Sequence, residues 1–371
     1  MIPRRFPRRR FGRTGLDISI FTLGGMRHMH SWKDLGEDEI PAESLRNVEA
    51  TLHRAWEVGI NHFDTARGYG TSELEMGRFL GDFPRDELVI TTKVSPRADT
   101  DDFARVVEEC LTRLRLDHVD ILDLHGINNR ETFDWAMRKG GCLEVLQRFQ
   151  EQGAVNHIAF STHGPLDLII EALDTQAFAA VTLHFYHFSP RNLAAVQRAG
   201  ELDMGVLILS PHEKGGLLWK PTDRLREATA PLHPMTFNSL WTLSHPEVTS
   251  LTLGARKPGE IEDHLDVLNH VDDISGAIEG IAERVAEAAR EPLGDTWCSV
   301  CWECLPCPEN IHIPEVLRLR NLLVGLGMEE FAKMRYNLFE QAGHWFPGNL
   351  ASKCTECGDC LPRCPEHLDI P

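Results

Sequence analysis

The chain has 371 residues, 42% of them hydrophobic, enough for one large domain with its own core and a small second one. With 56 acidic against 38 basic residues its net charge is −18, which argues against a nucleic-acid-binding surface. No apolar run approaches the ~18 residues of a membrane span, so no membrane partner is expected.

The N-terminus is the basic exception, with Arg4, Arg5, Arg8, Arg9 and Arg10. A twin-arginine export signal would need an apolar stretch after them. The residues that follow, Gly12-Arg13-Thr14-Gly15-Leu16-Asp17, are turn-like and polar, so a cytoplasmic protein is the expectation. Residues 10–25 read as a short hairpin: Arg10-Phe11, a turn from Gly12 to Gly15, then Ile18-Ser19-Ile20. Eight short apolar runs come next, at residues 22–24, 62–64, 88–92, 119–124, 157–160, 180–183, 206–209 and 250–253. Amphipathic helical segments separate them. In one, Phe103, Val106, Val107, Cys110, Leu111 and Leu114 fall at helical spacing. Eight strands alternating with helices over roughly 270 residues predict an α/β protein, a (β/α)8 TIM barrel with an N-terminal β-hairpin. The rival, a doubly wound sheet, usually opens on Gly-x-Gly-x-x-Gly, which does not occur. The barrel is expected over residues 8–290, and a small α-rich domain over 291–371, with helices at 314–323 and 329–341.

Eight of the ten cysteines lie in that second region, in two bursts. The first is Cys298-x2-Cys301-x2-Cys304-x2-Cys307-Pro308; the second is Cys354-x2-Cys357-x2-Cys360-x3-Cys364-Pro365. Thiolates two residues apart, closing on Cys-Pro, suit an iron–sulfur core on which four sulfurs converge. The second burst reproduces the spacing of bacterial two-cluster ferredoxins; the first has two residues rather than three before its Cys-Pro. Zinc would more usually pair two distant Cys-x-x-Cys knuckles, and a chain of this size needs no disulfide framework. Two 4Fe-4S clusters in a ferredoxin-like domain are therefore expected. In double motifs the fourth cysteine of one burst serves the other cluster, which gives Cys298, Cys301, Cys304 with Cys364, and Cys354, Cys357, Cys360 with Cys307. Cys110 and Cys142 read as buried structural thiols.

Active sites of such barrels lie where the strands end. The second strand ends in Asp64 and is followed by Tyr69, the third ends in Lys93, and the fourth in His125. Together these residues suit the protonation of a carbonyl oxygen while a hydride reaches its carbon. Tyr69 is the acid, a nearby Lys93 ammonium stabilises its phenolate and lowers its pKa, Asp64 holds the ammonium, and His125 orients the carbonyl.

The residues Phe11-Gly12-Arg13-Thr14-Gly15-Leu16, Asp64-Thr65-Ala66-x-x-Tyr69, Thr92-Lys93, Asp123-Leu124-His125 and Gly254-Ala255 carry a resemblance to the aldo/keto reductase superfamily over about residues 8–290. The whole chain resembles the subgroup with a C-terminal ferredoxin-like 4Fe-4S extension. The resemblance implies NADP(H) lying extended across the barrel top and a small-molecule carbonyl or alcohol substrate. It places Ser161 under the nicotinamide carboxamide and Thr182 where the family usually has Gln; the usual Asn after Ser161 is replaced by Thr162-His163. Phe185 or Tyr186 is the stacking candidate. Ser210-Pro211 and Lys214-Gly215-Gly216 match the loop over the pyrophosphate, and Arg256 and Lys257 fall where the family binds the 2′-phosphate, an anion that a guanidinium pairs well. A redox partner protein is a further candidate at the C-terminal domain.

Histidines cluster at the strand ends: His28, His30, His163, His184, His187 and His212. They also suit a metal-dependent hydrolase barrel, but such a site needs carboxylate ligands, and the last strand runs into Gly254-Ala255-Arg256-Lys257 instead. A polar pocket for an anionic or polyhydroxylated substrate is the preferred reading of them. An electron-transfer or redox-sensing protein on an inherited barrel is the remaining alternative.

Overall fold

The computed structural model describes residues 5–212 and 217–371. Arg4 and the expected pyrophosphate loop Lys214-Gly215-Gly216 lie outside the described residues. The chain forms two compact units, one of Met1–Pro211 with Asn238–Ile274, the other of His212–Phe237 with Ser275–Pro371.

The first unit opens with an antiparallel pair, β1 (Arg8–Arg10) and β2 (Asp17–Ser19), in which Arg8 faces Ser19 and Arg10 faces Asp17. Eight parallel strands follow: β3 (Phe21–Gly24), β4 (His62–Asp64), β5 (Val89–Val94), β6 (Val119–His125), β7 (Val155–Ser161), β8 (Ala180–Leu183), β9 (Gly205–Ile208) and β10 (Ser250–Leu253). They close in the order β10-β3-β4-β5-β6-β7-β8-β9, a (β/α)8 TIM barrel. Each strand coincides with one of the eight apolar runs. Strands of a closed parallel sheet are covered on both faces and so read as continuous rather than alternating hydrophobic segments.

Helices cover the outer wall. In Thr100–Leu114, Asp99 accepts the amide N–H groups of Asp101 and Asp102 at 3.0 Å each, which satisfies two orphan donors of the first turn. The same helix buries Phe103, Val106, Val107, Cys110 and Leu114, and Arg115 stops it in the left-handed conformation at φ 57°.

The hairpin seals one mouth of the barrel. Phe11 and Ile18 pack with Val89, Ile121, Ala159, Ala180 and Leu207 of the strands β5 to β9. Gly12 makes this approach possible: its φ is +51°, and a Cβ there would stand 2.2 Å from the amide nitrogen of Gly205. Above the plug the interior is polar. Ser250 Oγ lies 2.8 Å from Thr22 Oγ1, which lies 2.9 Å from His62 Nδ1, and His62 Nε2 lies 2.8 Å from Thr91 Oγ1. Burial pushes His62 down to about 3, with the Lys93 charge adding to it, so this imidazole is neutral.

In the second unit the helix Asp223–Thr229 packs against the helix Ile281–Arg290. Thr222 caps the shorter one by accepting from Leu225 N–H at 3.2 Å, and donates to Leu326 O at 2.7 Å. Arg224 Nε donates to Ala288 O at 2.9 Å. The helix Ile313–Arg320 runs on into a π-helical turn, Asn321–Gly325, where a Cβ on Gly325 would lie 2.3 Å from Ala289 O. A last helix spans Glu329–Tyr336. Among the described residues, no helix is long and apolar enough to cross a membrane.

Replacing Gly12 by Ala should destabilise the first unit by more than about 1–2 kcal/mol, the cost of a left-handed L-residue alone, because the methyl also meets backbone that cannot step aside. Chemical denaturation of the variant beside the parent chain measures this; an unchanged midpoint would mean that the hairpin does not plug the barrel as described.

Candidate functional site

The open mouth of the barrel gathers four of the expected side chains from three consecutive strands. Past the end of β4 the backbone continues along β5, with Thr65 N–H donating to Thr91 O at 2.9 Å and Arg67 N–H to Lys93 O at 3.0 Å. A turn closed by Tyr69 N–H on Ala66 O at 3.0 Å then presents the phenol. Gly70, at φ +55°, lies so close under the β3 loop that a Cβ would come within 1.9 Å of Ser31 O.

Lys93 is 2% exposed and is paired with Asp64 Oδ1 in a short ion pair, while its Nζ also donates to Thr65 O at 2.9 Å. The same Nζ stands 5.6 Å from the centre of the Tyr69 ring. Tyr69 meets His125 edge to face, with ring centres 5.5 Å apart and planes at 89°. Tyr69 and His125 are partly exposed, so a ligand can reach both.

Burial works against the Lys93 charge, but Asp64, Tyr69 and Asp123 outweigh it and hold the ammonium above its ordinary value. Burial raises Asp64, against the pull of Lys93. It also raises the Tyr69 phenol, with Lys93 opposing and the Asp64 and Asp123 charges adding to the rise. The sequence suggests that Lys93 would bring the phenol below its usual range. In the folded chain the ammonium only limits an increase set by burial and by two carboxylates.

Ser161 and Thr182 are register neighbours on β7 and β8 and are both buried. Ser161 Oγ accepts from Gly126 N–H at 3.2 Å. The Thr182 hydroxyl donates to Asp123 Oδ2 at 3.1 Å and so is turned into the barrel. Ser210 follows β9 with φ +49°, a strained position for a non-glycine residue. Arg256 and Lys257 are exposed beyond β10; Asn47 Nδ2 donates to Arg256 O at 2.6 Å, and Arg256 N–H donates to Glu260 at 2.8 Å. Of the stacking candidates, Phe185 is buried against Trp241 and His245, with ring centres 5.3 and 4.8 Å away, and Tyr186 lies 6.0 Å from His184.

The strand-end histidines separate into two kinds. His28 is buried and donates through Nε2 to Ala255 O at 2.5 Å; burial pushes it down to about 4, and does the same to His187. His163 and His184 stack with ring centres 4.8 Å apart. Among the described residues the one group of histidines, cysteines and carboxylates with ligand atoms close enough for a single metal ion is Glu49, His53 and Asp82, near the surface and away from the strand ends. One residue without a role in the sequence reading stands out. Asp123 is 1% exposed, beside Lys93 in the β5–β6 register. The signal was available: it precedes His125 by two, so both side chains leave β6 on one face.

None of the ten cysteines forms a disulfide, and eight of them lie in the second unit. Cys298, Cys301, Cys304 and Cys364 line one cavity, and Cys307, Cys354, Cys357 and Cys360 line another. Leu317 and Ile370 line both. The two bursts start alike: Val300 N–H donates to Cys298 Sγ at 3.3 Å and Glu356 N–H to Cys354 Sγ at 3.4 Å, with Val300 and Glu356 at φ 54° and 56°. Such amide–sulfur bonds favour thiolate charge. Burial, with the neighbouring sulfurs adding to it, pushes the Cys304 thiol up to about 12, so thiolates here need a cationic core between them. No three cysteine sulfurs among the described residues lie within 4.8 Å of one another. Four sulfurs ~2.3 Å from one tetrahedral zinc would stand about 3.8 Å apart. The wider spread suits a multinuclear iron–sulfur core and does not suit zinc.

Residues 22–229 match the aldo/keto reductase family, and residues 297–368 match the 4Fe-4S dicluster domain. The chain is 26% identical to a Schizosaccharomyces pombe protein named for a voltage-gated potassium channel subunit beta, over 74% of this chain and 92% of the relative. It is also 26% identical to the L-galactose dehydrogenase of Arabidopsis thaliana, over 78% of this chain and 97% of the relative. In fold it is similar to an aldo-keto reductase of Bacillus halodurans in its holo form, with a TM-score of 0.63 and 18% identity over 76% of this chain and 96% of that one. A barrel with Asp64, Tyr69, Lys93 and His125 at its open mouth, matched over more than half its length, belongs to the aldo/keto reductase family of oxidoreductases, here with a 4Fe-4S dicluster domain at its C-terminal end.

Proposed function

We propose that the protein reduces an aldehyde or ketone with NADPH, Tyr69 giving the proton to the carbonyl oxygen. The observation that supports this most is the buried Lys93–Asp64 pair with Tyr69 and His125 against it, at the mouth the hairpin leaves open. When bound across the strand ends, NADPH supplies the hydride. The chain supplies the proton and the orientation. Lys93 holds a positive charge beside the phenol and stabilises the phenolate left when the proton has gone; Asp64 keeps that charge in place. His125 hydrogen-bonds the carbonyl oxygen and fixes its approach. The exposed Arg256 and Lys257 suit the adenosine 2′-phosphate, Ser210 the pyrophosphate, and Ser161 the nicotinamide carboxamide; Thr182 serves there only through its neighbours, since its hydroxyl is taken up by Asp123.

The Arabidopsis relative is named for a sugar, and the stacked His163 and His184 offer ring nitrogens to a polyhydroxylated substrate. The two cysteine cavities each hold a 4Fe-4S cluster, with Cys307 and Cys364 exchanged between the bursts. Cysteines used in this way belong to a reducing compartment, in keeping with a cytoplasmic protein.

The Tyr69→Phe protein should bind NADPH as the parent does and lose about 10²–10⁴-fold in carbonyl reduction, read as kcat/KM alongside a fluorescence titration of NADPH. Retained turnover would remove Tyr69 as the acid. For the clusters, Cys307→Ser and Cys354→Ser should each lose the same cluster, and Cys364→Ser and Cys298→Ser the other. Iron and sulfide counts with electron paramagnetic resonance of the reduced proteins test this; a Cys307→Ser spectrum that matches Cys298→Ser would mean that each burst keeps its own four cysteines.

A further inference from the structure

Four charged or acidic groups meet in the barrel, and the reaction just described uses three. Asp64, Lys93 and Tyr69 have roles; Asp123 has none. It is nonetheless as deeply placed as any of them, 1% exposed, in the wall next to Lys93. Lys93 and Asp123 are register partners on parallel strands, so their side chains emerge on the same face. Thr182 reaches Asp123 from β8, across the intervening β7. The β7 residue in register with Asp123 is Ala159, whose methyl leaves room for that contact. A lone carboxyl in such a place is costly unless a charge or a hydrogen bond answers it, and both do.

We propose that Asp123 is a positioning residue that sets the acidity of Tyr69: neutral, it leaves Lys93 free to support the phenolate, and ionised, it draws on that charge and makes Tyr69 a weaker acid. This rests on the reading of the site as a carbonyl reductase. The bonds balance without it: hydride from NADPH forms the new C–H bond, the Tyr69 O–H proton forms the new O–H bond, and an alcohol and NADP+ leave. Asp123 touches none of these atoms and acts through Lys93 and Tyr69.

The groups around it pull in both directions, and burial decides the sign. Facing Asp123 are Lys93 from β5, Asp64 from β4, the Thr182 hydroxyl from β8 and the Tyr69 phenol. His125 lies two residues on along its own strand, and β7 contributes Ala159 in register and His157 two residues earlier, which burial holds below its ordinary value. His62 is neutral. Burial pushes Asp123 up to about 7, with Asp64 adding to the rise and with Lys93 and the Thr182 hydrogen bond opposing it. Its ionisation raises the Tyr69 phenol further. Carbonyl reduction is therefore fastest on the acid side and declines as pH rises through about 7.

The test is the pH profile of kcat/KM for the cluster-loaded protein with NADPH and a simple aldehyde, in the parent, Asp123→Asn and Thr182→Val. The parent should fall about 3- to 10-fold across neutrality to a lower plateau. Asp123→Asn, an isosteric neutral side chain, should stay near the acid-side rate throughout with NADPH affinity unchanged. Thr182→Val removes a donor to the carboxylate and should move the midpoint of the fall upward. A fall that persists at the same midpoint in Asp123→Asn overturns the proposal, because another group, such as His125, then causes it. Infrared difference spectra of the protein without substrate give a second readout: a protonated-carboxyl band that fades as pH rises through neutrality and is missing from Asp123→Asn. If no carbonyl compound is reduced at any pH, the reductase reading fails, and this band alone then decides whether Asp123 titrates where the geometry requires; its absence overturns the assignment.

Discussion

A full positive charge stands inside a closed barrel at Lys93, and much of the first unit is arranged around it. An ammonium at that depth survives only with a partner, and breaking such a pair by removing one member costs about 3–5 kcal/mol. Asp64 supplies the partner from the next strand, and Thr65 O accepts a further hydrogen bond from the ammonium. The plug of Phe11 and Ile18 closes the far mouth, so the one polar opening is the one that Lys93 faces with Tyr69 and His125. The neutral His62 and its hydroxyl neighbours fill the layer nearby without adding a competing charge.

The second unit meets the same constraint with the sign reversed. Cys298, Cys304, Cys360 and Cys364 are buried beside Ile311, Ile313, Leu317 and Ile370, where a thiolate is costly without a cation to answer it. In the barrel the counter-charge is built into the chain; in the cysteine cavities the match to a 4Fe-4S dicluster domain points to metal as its source.

Much of this was legible in the sequence, for reasons that differ between elements. The eight strands could be read because burial on both faces leaves uninterrupted apolar runs, and Asp64, Lys93 and His125 because each closes one of those runs. The cysteine groups could be read because ligand spacing is a local property and the exchange of Cys307 and Cys364 follows from the doubled motif. What could not be read depends on distant neighbours. The rise of the Tyr69 phenol is a sum over burial and three charges, one each from β4, β5 and β6. The turn of Thr182 toward Asp123 depends on the small size of Ala159 between them. The helix expected over residues 314–323 breaks into a π-helical turn at Asn321, because Gly325 lies against the carbonyl of Ala289, more than thirty residues earlier.

The partition of the chain has a consequence for the order in which the molecule is completed. The polypeptide leaves the first unit after Pro211, contributes His212–Phe237 to the second, and returns at Asn238 to lay down β10 and close the barrel. On the ribosome, synthesised from the N-terminus, the helix Asp223–Thr229 emerges before the helix Ile281–Arg290 that covers it, and before the Leu326 carbonyl that Thr222 donates to. That helix is therefore made before its cover, while β10 is still to be added to the barrel. The helix Ile281–Arg290 and the Leu326 carbonyl arrive later and supply its cover. In this sense the domain is less an appendage than the closing half of a clasp whose first half was made some sixty residues earlier.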